Sequence, residues 1–184
     1  GGAGDDTFLL GTTYPDVVVE SANEGTDWVV TRDSYILGDH VENLLFGATG
    51  YFSSSPFELT GNALDNIIIG PKTGGAILDG GAGADTMIGG DVYGTAFIEG
   101  TTYIVDNVGD VVVHKRGVGA VISTVSYVLG DGLSSLDLRG TDPITAGGNA
   151  GSNVLSGHNN TAANVLAGGL GDDIYYIGLG DTIV

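Results

Sequence analysis

The fold class this sequence predicts is all-β: parallel β-roll or β-helix coils of solenoid type, interspersed with longer strand segments and stacked into an elongated rod. Three observations predict it. Glycine fills 34 of 184 positions while proline fills only 4, which excludes collagen and proline-rich linkers. A nine-residue Gly- and Asp-rich segment recurs, and short β-branched runs separate its copies. The acids number 23 against 5 basic residues, and 18 of the 23 are Asp, the acid that favours turns over helices. The carboxylates are therefore expected in tight turns beside glycines.

Taken in chain order, three segments align without gaps: Gly1 to Leu9, Gly80 to Ile88 and Gly168 to Tyr176. Each fits G-G-x-G-x-D-x-U-x, where U is a large apolar residue. The sixth-position aspartates Asp6, Asp85 and Asp173 lie 79 and 88 residues apart. Weaker nonapeptides at Gly61 to Ile69 and Gly148 to Ser156 precede the second and third copies, with Asn66 and Asn153 where the strong copies have Asp. A further stretch from Gly89 to Phe97 has lost that residue. The segments between also repeat: Ser34 to Asp39 matches Ser126 to Asp131, and Val41 to Gly47 matches Leu133 to Gly140. Residues 1–79 are thus expected to form a first repeat unit, 80–167 a second, and 168–184 the start of a third. The chain opens inside one nonapeptide block and ends in mid-pattern, so it is expected to be an excerpt of a longer protein.

The motif has a physical reading. Its glycines allow backbone angles closed to other residues, so a six-residue turn aims several carbonyls at one point and the aspartate adds a carboxylate. The x-U-x that follows is a three-residue strand with its middle side chain inward. Two nonapeptides, about 18 residues, complete one coil, and coils stack at about 4.8 Å. On this geometry Asp85 lies over Asn66 and Asp173 over Asn153. Such turns repel one another unless a cation intervenes, and calcium takes six to eight oxygens. The expected ligands are Asp6, Asp85 and Asp173, the turn glycines Gly2, Gly4, Gly81, Gly83, Gly169 and Gly171, and Asn66 and Asn153. Asp5, Asp65 and Asp172 point outward or supplement the shell, and Asp16, Asp110 and Asp181 read mainly as turn residues.

These nonapeptides resemble those of the RTX (repeats-in-toxin) family, and the intervening segments resemble the long tandem units of large bacterial RTX proteins. The resemblance implies calcium as the bound ion, export in an unfolded state by type I secretion, and an extracellular or bacterial cell-surface location. It says little about activity, because family members include toxins, proteases, lipases, epimerases, adhesins and surface-layer proteins.

Other classes are disfavoured by composition. A net charge of -18 repels nucleic-acid phosphates, and no apolar run approaches the roughly 20 residues of a membrane span. Cysteine is absent, which removes disulfides and thiolate sites. Neither a His-x-x-x-His pair nor a Gly-x-Ser-x-Gly elbow occurs. His40, His114 and His158 are expected in surface or packing roles, Trp28 in the core, and Asp16 with Glu20 on a solvated strand edge. The expected role is non-enzymatic: a calcium-stabilised stalk, adhesin shaft, surface layer or filament that self-associates end to end or laterally. The alternative is the secretion and folding appendage of an enzyme or toxin.

Overall fold

The computed structural model describes residues 1–11, 16–47, 56–72, 74–89 and 100–184; the degenerate nonapeptide, beyond Gly89, lies outside them. Among the described residues there is no helix, and therefore none long and apolar enough to cross a membrane. The strands are β1 (Thr7–Leu9), β2 (Trp28–Thr31), β3 (Tyr35–Ile36), β4 (Asn43–Phe46), β5 (Phe57–Thr60), β6 (Ile67–Ile69), β7 (Ala76–Asp79), β8 (Thr86–Gly89), β9 (Thr101–Val105), β10 (Val111–His114), β11 (Gly119–Ser123), β12 (Tyr127–Val128), β13 (Leu133–Leu138), β14 (Thr145–Gly147), β15 (Val154–Ser156), β16 (Val165–Ala167), β17 (Ile174–Tyr176) and β18 (Thr182–Ile183).

From β2 onward successive strands alternate between two faces. One face holds β1, β2, β4, β6, β8 and β10, followed by a separate sheet of β12, β14, β16 and β18; the other is a single eight-stranded sheet running from β3 to β17. Every pairing within these sheets is parallel, as a chain that always winds in one sense requires. The result is a β-solenoid of about eight coils.

The middle residue of each x-U-x points inward and stacks on its counterpart one coil away. Phe8, Val29, Leu44, Ile68, Met87 and Val112 form one such ladder. Leu59, Leu78, Tyr103, Val121, Leu136, Leu155 and Tyr175 form the opposing one. Most of these are fully buried, and each buried aliphatic side chain contributes about 1.5–3 kcal/mol of transfer free energy. The Tyr103 hydroxyl would be a liability in this core. It lies 2.9 Å from Nδ1 of buried His114, which satisfies the hydroxyl and fits the packing role expected of that histidine, while His114 Nε2 stays buried without a partner. Trp28, by contrast, is not in the core: Val29 takes the inward position of β2, and the indole lies half-buried on the outer side.

Coil length varies more than the nonapeptide rule allows. On the first face Trp28 pairs with Asn43, Asn43 with Ile67, Ile67 with Thr86 and Thr86 with Val111, so single coils take 15, 24, 19 and 25 residues. Strand spacing is fixed by backbone hydrogen bonds, so coil length varies without changing the spacing between paired strands. The 79 residues from Asp6 to Asp85 make four whole coils, from β1 to β8, and return to the same edge. The 88 residues from Asp85 to Asp173 make four coils plus the half-coil from β8 to β9. The nine-residue difference is one nonapeptide, and it places Asp173 on the opposite edge. The same offset runs through the second unit: β4 and β13, or β6 and β15, match in sequence yet lie on different faces.

Candidate metal centre

The first core ladder has a polar ladder two residues upstream. Asp6, Asp27, Glu42, Asn66, Asp85 and Asp110 stand two positions before Phe8, Val29, Leu44, Ile68, Met87 and Val112. Their side chains tie one coil to the next. The Asp6 amide donates to Asp27 Oδ1 at 2.8 Å, the Asp27 amide to Glu42 Oε2 at 2.8 Å, the Asn66 amide to Asp85 Oδ1 at 2.7 Å and the Asp85 amide to Asp110 Oδ1 at 3.0 Å. On the opposite edge the Asn153 amide donates to Asp173 Oδ1 at 2.8 Å. A short third ladder joins the Asn164 amide to Asp181 Oδ1 at 2.7 Å. Asp85 thus stands against Asn66, and Asp173 against Asn153, as the spacing predicts.

The glycine frame follows from how tightly these turns close. A Cβ on Gly80 would overlap Asp85 Oδ2, and Gly1 and Gly168 stand in the same relation to Asp6 and Asp173. Gly81 and Gly83 adopt φ of 78° and 136°, and the matching Gly2, Gly4, Gly169 and Gly171 share that left-handed sign. Between stacked turns the facing groups are oxygens: the Asn62 and Leu64 carbonyls lie against Gly81 and Gly83, and the Asn149 and Gly151 carbonyls against Gly169 and Gly171.

Wide and tight turns differ in what they leave over. In the tight turns the aspartate satisfies itself: Asp110 Oδ2 accepts the Asp106 and Asn107 amides, each at 3.1 Å, and Asp181 Oδ2 accepts the Gly178 amide at 2.7 Å. In the wide turn before β8, Asp85 is 0% exposed and its Oδ2 has no hydrogen-bond partner. Burial pushes this carboxyl up to about 6; the Asn66 amide opposes the shift, and Asp110, Asp106 and Asp65 add to it. An orphaned, buried carboxylate oxygen in a turn stacked on carbonyl-lined glycines offers oxygen donors of the kind a hard cation such as calcium takes. Asp173 has the same frame but is only partly buried, and Asp5, Asp65 and Asp172 face outward.

The two asparagines are committed to the turn itself. Asn66 Oδ1 accepts the Asn62 amide and Asn153 Oδ1 the Asn149 amide, both at 2.8 Å, while their Nδ2 groups reach carbonyls of the neighbouring coil. Among the described residues no group of three or more His, Cys, Asp or Glu stands in a metal-holding arrangement, so carbonyls would supply most of the shell at either stack. Sequence reasoning passes over Asp27 and Glu42, whose turns lack the glycine frame; the signal that finds them is an acid or amide two residues before each core position. It also misplaces Glu20, which is 7% exposed rather than on a solvated edge, because its carboxylate turns in toward Gly1. Comparison of the chain with family models, curated proteins and solved structures gives no match.

Proposed function

We propose that this chain is a non-enzymatic, calcium-stabilised repeat region of RTX type, serving as a shaft or filament segment of a larger secreted or surface-attached bacterial protein. The observation that carries the reading is the stack of turns 61–66 and 80–85, where a buried aspartate keeps an unpartnered oxygen in a turn whose glycines Gly81 and Gly83 face the Asn62 and Leu64 carbonyls. The second stack, 148–153 with 168–173, repeats the frame on the opposite edge. Calcium between the turns would neutralise carboxylates that otherwise repel across one coil spacing, and Asp85 and Asp173 would contribute its charged ligands. The rest of the shell would come from turn carbonyls. Catalysis is not part of this reading, since the polar residues that the fold gathers are spent on closing turns. A chain with a net charge of -18 also needs such an ion before copies associate.

Thermal melting in calcium and in chelator tests it. Calcium binds the stacked turns and not the open chain, so the melting temperature rises with calcium by mass action, by about 2.7 kcal/mol of stability at a hundredfold excess over Kd. An equal melting temperature in both buffers would overturn the proposal.

A further inference from the structure

Strand alternation gives each sheet of the solenoid an outer side as well as an inner one. On the face that holds β2 to β10 the outward positions are hydrocarbon. Val30, Leu45, Ile69, Ile88 and Val113 form one outward ladder, each paired with the next across a single coil spacing. Beside it run Trp28, Asn43, Ile67, Thr86 and Val111, again without a charge. The separate sheet on the same side continues the face with Val128 and Val165 and adds no charge at its other outward positions. Ile67 is 38% exposed, Val111 51% and Val128 67%, so the face is open among the described residues.

The opposite sheet is the internal reference. Glu58, Asp79 and Asp137 point outward from β5, β7 and β13, with Thr60, Thr102 and Ser156 at other outward places. One coil architecture therefore makes one face dressed for water and one that is not. Single exposed apolar side chains are ordinary on a protein, but an unbroken uncharged ladder marks an interaction surface.

We propose that this face docks a second copy of the chain, sheet on sheet. The ladder repeats at about 4.8 Å, and a partner meshes with it along its length when it has the same repeat, as a copy does by construction. Charge points the same way. Acids stand on the opposite face and in the exposed turns, at Asp65, Asp106, Asp131 and Asp172 among others, so two chains of net charge -18 approach at least cost through the face that carries none. The area sets the strength: the eight strands from β2 to β16 on this side, at about 4.8 Å each and three residues wide, offer about 400 Å² per copy and about 800 Å² for the pair. That is the size of a weak, concentration-dependent contact. The proposal adds to the shaft reading the face through which shafts pair, and calcium enters it by reducing the charge on each copy.

Sedimentation velocity across protein concentration tests it, in about 1 M NaCl with calcium and again with chelator. At that ionic strength the Debye length is about 3 Å, so net charge no longer holds copies apart and the outcome does not depend on calcium. The expected result is a monomer–dimer equilibrium that salt strengthens. Ile69→Lys and Ile88→Lys should each raise its dissociation constant by about tenfold or more, while Ile122→Lys, at an outward position of β11 on the opposite sheet, should leave it unchanged.

The absence of cysteine supplies a second arm that holds even where a lysine disturbs the β-sheet circular dichroism. Full overlap of two such faces puts their two-fold axis between β8 and β10, beside Ile88. A bismaleimide of about 10 Å reach, the spacing of packed sheets, should therefore link Ile88→Cys chains into dimers and leave Ile122→Cys chains single. A chain that stays monomeric at the highest concentration in both buffers would overturn the proposal. So would association that survives both lysine substitutions without cross-linking at Ile88, the mark of contact through the ends of the coil. Melting of the same variants in calcium and in chelator reads the turn stacks separately, so failure of either reading is told from failure of the other.

Discussion

The stretch from Asp6 to Asp85 and the stretch from Asp85 to Asp173 carry the same sequence device, yet they end on different edges of the coil. The first spans four coils and the second four and a half. A repeat period counted in residues is therefore not a period in space. What matters is the number of half-coils, because each one moves the chain from one edge to the other while leaving the x-U-x core rule intact. Coils of 15 and of 24 residues both return the chain to the same face, whereas the added half-coil from β8 to β9 turns everything after it to the other face. The two stacks also differ in burial. The Asp85 amide donates to Asp110 Oδ1 in the turn beyond it, and Asp85 is fully buried, whereas Asp173 is only partly buried.

That difference sets the order of expected effects. The largest should come from Gly80→Ala, whose new Cβ would displace the Asp85 carboxylate between two coils and cost about 3 kcal/mol or more. Gly168→Ala makes the same clash with Asp173, which is only partly buried and so can shift more freely, so its cost should be smaller. Gly130→Ala, with open space where the Cβ would go, is the neutral reference. Denaturant unfolding of the three variants checks the ranking; equal costs for Gly80 and Gly168 would remove the distinction between the stacks.

Next in size is a pH effect at Asp85. Burial raises its folded-state value from 3.8 to about 6. In chelator its contribution to stability is therefore fully present below about pH 4 and is lost as pH rises through about 6. Asp85→Asn should raise the melting temperature of the calcium-free protein at pH 7 by roughly a few degrees and flatten the dependence between pH 4 and 6. With calcium present the sign reverses: the ion takes the place of the proton, so acidification should weaken its binding, and the substitution should lower the melting temperature. A calcium-free Asp85→Asn chain with wild-type pH dependence would show that the buried oxygen is already paired.

Much of this was legible in the sequence because a solenoid is built from local rules. Spacing alone put Asp85 against Asn66 and Asp173 against Asn153, since a coil returns the chain to its own edge after two short strands. The edge exchange was hidden, because it depends on whether the residues between Asp85 and β10 add a half-coil or merely bulge, and both use the same Gly-rich vocabulary. Asp27 and Glu42 were hidden for a related reason: their turns close without the glycine frame, and only the inward position of Val29 and Leu44 two residues later betrays them. Glu20 read as solvated because an alternating run flanks it, while the burial comes from a turn that stacks on it from an earlier coil. Trp28 fell outward because Val29 took the inward position and strand alternation left no choice.

The central claim is that calcium closes two turn stacks on opposite edges, and amide hydrogen exchange in calcium and in chelator tests it most directly. The expected result is slowed exchange on calcium addition within 61–66 with 80–85 and within 148–153 with 168–173, the Asn66 and Asn153 amides included, because each donates to the aspartate that the ion would fix. Amides of interior strands such as those at Leu136 and Val121, already held by neighbours on both sides, should change far less. Protection that rises evenly along the chain, or at neither stack, would contradict the claim and leave the glycine-framed aspartates as turn closures alone.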